Sequence, residues 1–269
     1  MVNPRTTLLI STYNRPDALS ACLASVARLV TLPDEVVIAD DGSGESSNTT
    51  IEYWKERLPV PLIHVWHEDK GFRLAAIRNK AIARSSGEYI IQIDGDELLH
   101  PRFIADHLRY ACRGSFAKGC RVKLNKEYSE KLCVQPARKP SGIYSLRSNI
   151  EEGWLKGMRL RPLAWWFANR FKPHVYYALG GNMGFWKEDL IKINGYDERF
   201  EGWGREDDDL AHRLGRSGLR KRDLRFTAVC YHLWHPENSR ALTDRNDDYI
   251  KEQDRLNIVR CEDGLDKYL

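Results

Sequence analysis

The sequence predicts an α/β protein built on a mostly parallel central sheet, and three observations support that prediction. Short apolar runs rich in β-branched residues alternate with stretches of helical periodicity over roughly the first hundred residues. The connections between these runs are short. Successive strands also end in polar loops, which parallel sheets gather at one edge to form a ligand-binding crevice. Neither GxGxxG nor GxxxxGK[ST] occurs, so the usual dinucleotide and P-loop signatures are absent from the sequence.

The first half of the chain supplies most of these elements. Strands are predicted over 6–11, 35–39, 61–66 and 89–93. Helices are predicted over 16–29, 49–58 and within 71–84, and Pro16 suits the first turn of the first helix. After Pro101 the pattern predicts a helix over 100–113 and a strand over 118–124, whereas 125–150 has no clean period. The remainder reads as an extension of the same domain.

Composition excludes several classes of function. The 269 residues carry a formal net charge of +4, which is too small to indicate nucleic acid as a partner, and no nucleic-acid-binding motif is recognised. No apolar run approaches the roughly 20 residues of a membrane span, and the N-terminus lacks a signal-peptide core, so a cytoplasmic protein is expected. The six cysteines have no paired metal-ligand spacing and are expected to be reduced thiols.

The predicted fourth strand ends in Asp94-Gly95-Asp96, which is the strongest functional signal in the first half. Two carboxylates one residue apart can point the same way in extended backbone, and Gly95 is expected to let a ligand approach closely. Such a pair suits a divalent cation that also holds substrate phosphates. A solvated loop is the alternative.

Two further loops lie at neighbouring strand ends. Asp41 could accept a hydrogen bond from a nucleobase or a ribose, while Asp40 is expected to support its own turn. Arg73 and Arg78, at helical spacing, could hold diphosphate oxygens. An ordinary turn and a solvated helix face are the respective alternatives.

Residues 153–177 interleave tryptophan and phenylalanine with lysine and arginine. This composition is typical of a surface that lies against a membrane or grips an anionic lipid head group. The alternative is an aromatic helix that packs in the core and has a solvated basic face.

A second group of candidate residues lies near the C-terminus. Gly202-Trp203-Gly204 precedes four consecutive acids, Glu206 to Asp209. Asp209 is expected to pair with Arg213 one helical turn on, but a carboxylate in this group could also act as a general base. His232 and His235 follow an apolar run, where a neutral imidazole could complete a metal site begun by Asp96.

These motifs together resemble a known family. Residues 6–97, with STYNRP, ADDGS, KGFRLAAIRNKAI and IDGD, resemble the nucleotide-binding half of a family 2 glycosyltransferase with the GT-A fold. Residues 179–214, with Gly-Trp-Gly-x-Glu-Asp, are similar to a segment shared by β-1,4-galactosyltransferases and bacterial chondroitin-type polymerases. The resemblance implies a nucleotide-sugar-binding half over 1–114 and an acceptor-binding, catalytic half over 115–269, within one continuous GT-A domain that carries a C-terminal acceptor-side extension.

The resemblance also implies roles for individual residues. The expected catalytic residues are Asp207, as the base, and Glu206, which would bind sugar. The expected metal ligands for Mn²⁺ or Mg²⁺ are Asp96 and His235, with Asp94 and His232 as further candidates. The expected donor-binding residues are Ser11, Tyr13, Arg15, Asp41, Arg73, Arg78, Asp94, Gly95 and Trp203.

The expected activity is inverting transfer of a hexose or N-acetylhexosamine, with galactose favoured, from a UDP-sugar to a glycan or lipid-linked acceptor. A cytoplasmic enzyme of surface-polysaccharide synthesis, with a possible peripheral contact to the inner face of the membrane, fits that expectation. The alternatives are a sugar-phosphate nucleotidyltransferase, which has no use for the Gly-Trp-Gly-x-Glu-Asp segment, and a non-catalytic sugar-nucleotide or glycan-binding protein.

Overall fold

The first four strands alternate with three helices and form the parallel part of a central sheet. The structure, a computed structural model, describes residues 3–134, 147–170, 178, 180–236 and 243–269. The first elements are β1 (Thr6–Thr12), α1 (Pro16–Val26), β2 (Glu35–Asp40), α2 (Glu45–Lys55), β3 (Leu62–Trp66), α3 (Leu74–Arg84) and β4 (Tyr89–Asp94). Every residue of β1 and β2 is buried, as expected for strands that helices cover on both faces. Pro16 begins α1, as predicted.

The second half of the chain adds strands to this sheet and builds a smaller one. Its strands are β5 (Glu97–Leu99), β6 (Ser115–Lys118), β7 (Cys120–Leu124), β8 (Ile150–Glu152), β9 (Asn182–Trp186), β10 (Arg220–Asp223) and β11 (Val229–His232). Its helices are α4 (Phe103–Tyr110), α5 (Lys126–Val134), α6 (Trp154–Gly157), α7 (Arg161–Asn169), α8 (Lys187–Ile193), α9 (Glu206–Arg216) and α10 (Thr243–Arg255), with 3₁₀ turns at Arg147–Asn149 and Leu265–Tyr268.

The large sheet has seven strands in the order β10-β6-β9-β4-β1-β2-β3, and the small one has four in the order β5-β11-β7-β8. Strand β9 runs antiparallel to both of its neighbours, β4 and β6, while the other pairs of the large sheet are parallel. The predicted α/β class, with a mostly parallel central sheet flanked by helices, is therefore confirmed. Strands from both halves of the chain share this sheet.

Some predicted boundaries were wrong, and packing explains the clearest case. The strand predicted over 118–124 is two strands, β6 and β7, which belong to different sheets and separate at Gly119. The side chain of Asn182 lies where a side chain at 119 would stand: a Cβ there would be 2.2 Å from Asn182 Oδ1. The helix predicted over 100–113 is shorter at both ends, and α2 begins four residues before its predicted start. Part of 125–150 forms α5; residues 135–146 lie outside the described ranges.

Two apolar layers hold the helices against the large sheet. Leu8, Ile91 and Ile93 pack with α1 on one face, and Leu9 and Ile90 pack with α3 and α9 on the other. Successive side chains of β1 and β4 therefore point to opposite faces of the sheet. The polar residues lie at the ends of these strands. All six cysteines are unpaired and four are buried, in agreement with the expected thiols. Within the described residues, the length and apolar character that a membrane-crossing helix requires are not found together in any helix.

Candidate active site

The strand ends bring the predicted polar loops together at one edge of the large sheet. In the register of β1 with its neighbours, Ser11 lies beside Asp94 of β4 and Thr12 lies beside Asp40 of β2. The loops after these three strands therefore surround one crevice, as the switch-point rule predicts. Helix α9 contributes Glu206 and Asp207 to the same crevice through their contacts with Arg78.

Arg78 of α3 connects the acids of the two halves. Its side chain is only 1% exposed. Its Nε donates to Ser11 Oγ at 3.1 Å, its Nη2 donates to Asp94 Oδ1 at 3.2 Å, and its Nη1 donates to Asp207 Oδ1 at 2.9 Å. Glu206 Oε1 lies 3.6 Å from the same Nη1. The sequence predicts that Arg78 contacts the diphosphate of the donor. In the structure its guanidinium is buried and instead binds carboxylates of the protein.

The environment of Glu206 and Asp207 favours their protonated forms more than water does. Burial, together with the neighbouring charge of Asp207, raises the pKa of Glu206 to about 8. Burial also raises the pKa of Asp207, while Arg78 opposes that rise. The hydroxyl of Tyr196 lies 3.1 Å from Asp207 Oδ1 and 2.9 Å from Gln92 Oε1, so its single proton can serve one of them at a time. A carboxylate whose pKa is raised in this way is a stronger base than an exposed aspartate.

The other two acids of the run have structural partners. Asp208 Oδ1 accepts from the backbone N–H of Ala178 at 3.0 Å, and its Oδ2 accepts from Arg205 at 3.0 Å. Asp209 and Arg213 form the predicted pair at 2.8 Å, and both side chains are fully buried. Two of the four consecutive acids are therefore committed to structure, and Glu206 and Asp207 face the crevice.

Two glycines that the sequence reasoning missed allow the acids to come so close. A Cβ on Gly180 would stand 1.8 Å from Asp207 Oδ2, and a Cβ on Gly181 would stand 2.7 Å from Asp94 Oδ2 and 2.4 Å from Glu97 Oε1. The backbone before β9 thus passes directly against both carboxylates. The available signal was the Gly180-Gly181 pair immediately before a short stretch that contains Met183, Phe185 and Trp186.

The predicted metal ligands converge except for Asp94. Among the described residues, Asp96, His232 and His235 present ligand atoms within 4.8 Å of one another. His235 Nε2 lies 3.4 Å and His232 Nε2 lies 3.7 Å from Asp96 Oδ2. Asp94 lies outside this group and bonds to Arg78, because the chain turns at Gly95 and Asp96 and enters β5 of the other sheet.

The donor atoms of this cluster fit a divalent cation. Burial, followed by the positive charge of Arg121, lowers the pKa of His232 to about 3, which keeps the imidazole neutral and able to coordinate. Asp96 Oδ1 is buried and has no hydrogen-bond partner in the described part of the chain, and Oδ2 pairs with Arg15 Nη1 at 2.6 Å. One carboxylate and two imidazoles suit an ion such as Mn²⁺.

The loops expected at the nucleobase lie around Asp41. Asp41 is buried; its Oδ1 lies 2.6 Å from His67 Nε2 and its Oδ2 accepts from the backbone N–H of Arg73 at 3.0 Å. The side chain of Arg73 turns to the carbonyl of Glu68. Asp40 accepts from the backbone N–H of Ser43 at 2.8 Å and so supports the turn, as expected.

Tyr13 and Trp203 remain accessible at the crevice loops, whereas Gly95 does not. Tyr13 is 47% exposed and donates to Asp69 at 2.8 Å, and Trp203 is 40% exposed between two glycines with positive φ. The close approach at Gly95 is to the protein itself, which corrects the expected approach of a ligand. A Cβ there would stand 3.0 Å from the carbonyl oxygen of Ser11.

Comparisons with known proteins agree with this fold and site. The fold is that of the GT-A glycosyltransferases. A family model described as glycosyl transferase family 2 matches residues 7–159, more than half of the chain, and the chain therefore belongs to that family. A model described as the N-terminal domain of galactosyltransferase matches residues 166–236.

Two curated proteins and one solved structure illustrate the likeness. Validoxylamine A glucosyltransferase of Streptomyces hygroscopicus subsp. limoneus is 27% identical over 80% of this chain, and chondroitin synthase of Escherichia coli is 26% identical over 88%. This chain spans 49% and 36% of their respective lengths. The crystal structure of GalNAc-T7 with UDP, GalNAc and Mn²⁺ superimposes with a TM-score of 0.66 at 16% identity, over 93% of this chain and 48% of that one.

Proposed function

We propose that this chain is an inverting, divalent-metal-dependent glycosyltransferase that uses a UDP-sugar. The observation that carries the proposal is the contact of one buried guanidinium, that of Arg78, with both Asp94 and Asp207. It brings an acid at the end of the DGD strand, where a donor would bind, close to Asp207, which is proposed to act as the base. Membership of glycosyl transferase family 2 supports the same reaction class.

In the proposed mechanism, Asp207 removes the proton from the acceptor hydroxyl as that oxygen attacks the anomeric carbon. The attack comes from the face opposite the nucleotide, so one displacement inverts the configuration and requires no nucleophile from the protein. Arg78 favours the ionised form of Asp207, because its positive charge opposes the rise in pKa that burial causes. Tyr196 orients the carboxylate through its hydroxyl. Glu206, beside the base, is proposed to bind a sugar hydroxyl.

The donor is proposed to lie along the strand ends. Tyr13, Asp41 and Arg73 would surround the base and ribose, and Trp203 would cover the sugar. Asp96, His232 and His235 would hold Mn²⁺ or Mg²⁺, which when bound would neutralise the diphosphate and stabilise the departing UDP. The two imidazoles favour Mn²⁺, because Mg²⁺ prefers oxygen ligands.

The transferred sugar is proposed to be a hexose or N-acetylhexosamine, with galactose-type sugars favoured. The match to a galactosyltransferase domain over 166–236, and the UDP and GalNAc in the solved structure cited above, support that choice. The acceptor is proposed to be a glycan or a lipid-linked glycan in polysaccharide synthesis, since one relative is a chondroitin synthase. The proposed location is the cytoplasm, with peripheral contact to the inner face of the membrane through residues 153–177, of which 171–177 lie outside the described ranges.

Donor hydrolysis tests the proposal without knowledge of the acceptor. UDP-, dTDP- and GDP-sugars are incubated with the protein and Mn²⁺, and release of the nucleotide diphosphate is measured. We expect release from a UDP-sugar that EDTA abolishes and added Mn²⁺ restores. Release of pyrophosphate would indicate a nucleotidyltransferase, and metal-dependent UDP binding without any hydrolysis or transfer would indicate a binding protein.

A further inference from the structure

A small cavity of about 70 Å³ lies between α4 and the start of α7, and none of its lining residues belongs to the candidate active site. Four of those residues are arginines: Arg102, Arg109, Arg159 and Arg161. Arg102 immediately precedes α4, Arg109 lies in the last turn of that helix, and both line the cavity. The volume is sufficient for several water molecules and therefore for a small oxyanion.

The cavity carries a surplus of positive charge. Asp106 is its one acidic lining residue, against four arginines, which leaves a formal charge of +3. Asp106 is already engaged: Arg159 donates to its two oxygens at 2.5 and 3.2 Å, and the backbone N–H of Ala228 donates at 3.1 Å. Within the described ranges, no carboxylate forms an ion pair with Arg102, Arg109 or Arg161.

One neighbouring feature strengthens the positive potential, and a second reflects it. Arg161 is the first residue of α7, so the positive end of that helix dipole lies at the cavity. Burial, followed by the charges of Arg159 and Arg102, lowers the pKa of nearby His100 to about 4. The cavity is therefore a preformed environment for an anion.

The surface next to the cavity is apolar and aromatic. Of the 17 large apolar side chains that are exposed among the described residues, seven fall within 154–166. They are Trp154, Leu155, Met158, Leu160, Leu163, Trp165 and Trp166. Helix α7 buries Ala164 and Ala168 instead, so Trp165 and Trp166 are not the core-packing residues that the alternative interpretation required. Residues 153–170 contain no acid.

We propose that this face docks on an anionic bilayer, with a phospholipid phosphate held in the arginine cavity and the α6–α7 side chains in the lipid interface. Guanidinium groups bind phosphate through paired N–H donors, and tryptophan settles at the boundary between headgroups and acyl chains. The proposal deepens the membrane contact of the proposed function and rests on that function for its purpose, which is access to a lipid-linked acceptor.

The position of the cavity suits that purpose. Asp106 bonds to Ala228, which immediately precedes β11, and the last residue of β11 is His232 of the candidate metal centre. Four residues of extended strand span about 13 Å. A protein docked through this cavity would therefore hold its candidate metal centre a short distance from the lipid headgroups.

Vesicle flotation tests the proposal directly. The full chain is mixed with vesicles of phosphatidylcholine alone or of phosphatidylcholine with phosphatidylglycerol, and the bound fraction is measured. We expect binding to the anionic vesicles only, and a partition coefficient on the order of 10- to 30-fold lower for Arg102→Gln/Arg109→Gln. The matched control is Arg57→Gln/Arg84→Gln, which removes two exposed arginines far from the cavity in the chain. Its partition coefficient for anionic vesicles should fall far less. Trp165→Ser/Trp166→Ser should also weaken binding.

Two results would overturn the proposal. One is a wild-type chain that does not float with the anionic vesicles; the other is an equal loss in the two double-arginine variants, which would indicate general charge attraction without a specific cavity. Lipid-free hydrolysis of a UDP-sugar is measured on the same proteins and should be unchanged in Arg102→Gln/Arg109→Gln. A wild-type chain that binds vesicles but hydrolyses no donor would contradict the proposed function and leave the docking surface standing.

Discussion

Arg78 Nη1 lies 2.9 Å from Asp207 Oδ1 although the two residues are 129 positions apart in the chain. The other terminal nitrogen of Arg78 contacts Asp94 at 3.2 Å. Burial alone lowers the pKa of Arg78, but the facing carboxylates outweigh it and raise that pKa above its ordinary value. The guanidinium therefore stays charged and connects an acid of the DGD turn to the candidate base.

Replacing Arg78 with lysine should impair both stability and activity. One ammonium cannot reproduce the planar fork that reaches Ser11, Asp94 and Asp207 together. Arg78→Ala should lower the free energy of unfolding by about 3–5 kcal/mol, because it leaves buried carboxylates uncompensated, and Arg78→Lys should lower it less. Urea unfolding and the rate of UDP release measure the two effects. Arg113→Lys, at an exposed ion pair, is the control; a normal Arg78→Lys enzyme would contradict the assigned role.

Asp207→Asn should reduce turnover by about 10²- to 10⁴-fold, because the amide cannot accept the proton of the acceptor hydroxyl. Binding of UDP with Mn²⁺, measured by calorimetry, should be little changed. The neighbouring variant Asp208→Asn is the control, since Asp208 bonds to Ala178 and Arg205, and it should keep turnover within a few-fold of wild type. Near wild-type turnover in Asp207→Asn would remove it as the base.

The contribution of Glu206 to stability should be lost as the pH rises from about 5 to about 8. Glu206 has a pKa of about 8 in the folded chain against an ordinary value of 4.5, so the folded chain keeps a proton that the unfolded chain releases. Its contribution is full below pH 4.5 and is lost as the pH rises through 8, at up to about 1.4 kcal/mol per pH unit. The raised pKa of Asp207 acts in the same direction.

The free energy of unfolding in urea, measured at about pH 5, 6.5 and 8, tests this dependence, because these values span the expected window. Glu206→Gln has no titrating group at position 206, so the difference in the free energy of unfolding between wild type and this variant should decrease as the pH rises. The exposed acid of the same loop, Glu201, supplies the control, because Glu201→Gln should leave the slope unchanged. An identical slope in wild type and Glu206→Gln would show that Glu206 is not the titrating group.

Removing one of the clustered ligands should weaken metal binding. Asp96→Asn, His232→Ala and His235→Ala should each raise the dissociation constant for Mn²⁺ by more than about 10-fold. A loss of about that size is usual even for residues that only hydrogen-bond to a metal ligand, and removal of a ligand itself should cost more. Calorimetric titration with MnCl₂ provides the measurement. His212→Ala is the control, since His212 faces Asp254 on α10. Unchanged Mn²⁺ affinity in all three variants would place the ion elsewhere.

Adding one methyl group beside the base should disturb it. Gly180→Ala places a Cβ 1.8 Å from the present position of Asp207 Oδ2, so the carboxylate or the backbone must move. We expect at least a 10²-fold loss of turnover, as displacements of about 1 Å commonly cause. Gly44→Ala is the matched control, because the nearest atom to its Cβ would be 3.8 Å away. Full activity of Gly180→Ala would show that the close approach does not matter.

The sequence correctly predicted those features of the fold and the site that depend on residues close together in the chain. The strands that precede the polar loops, the meeting of those loops at one sheet edge and the Asp209–Arg213 pair all follow from local spacing or from the sheet rule. Each of these features needs only the direction of a strand end or one turn of helix. The pattern of apolar residues supplies that information directly.

Contacts between distant segments were beyond that reasoning. Nothing in the DGD motif shows that Asp94 turns to Arg78 while Asp96 turns to the histidines, because the division depends on β5 leaving for a second sheet. The role of Gly180 depends on β9 entering the large sheet antiparallel between β4 and β6. Such pairings join residues far apart in the chain, and no local periodicity records them.

The antiparallel insertion of β9 has a consequence for engineering chimeras. In the loop that enters β9, Gly180 lies against Asp207 and Gly181 lies against Asp94. The space between the N-terminal and C-terminal halves is therefore too small at this point for one additional methyl group. Exchanging the C-terminal segment for that of a relative would therefore change these close contacts between the two halves as well as the acceptor-binding residues. Swaps that carry the β9 entry loop together with the acids of α9 should yield working hybrids, and swaps that divide them should not.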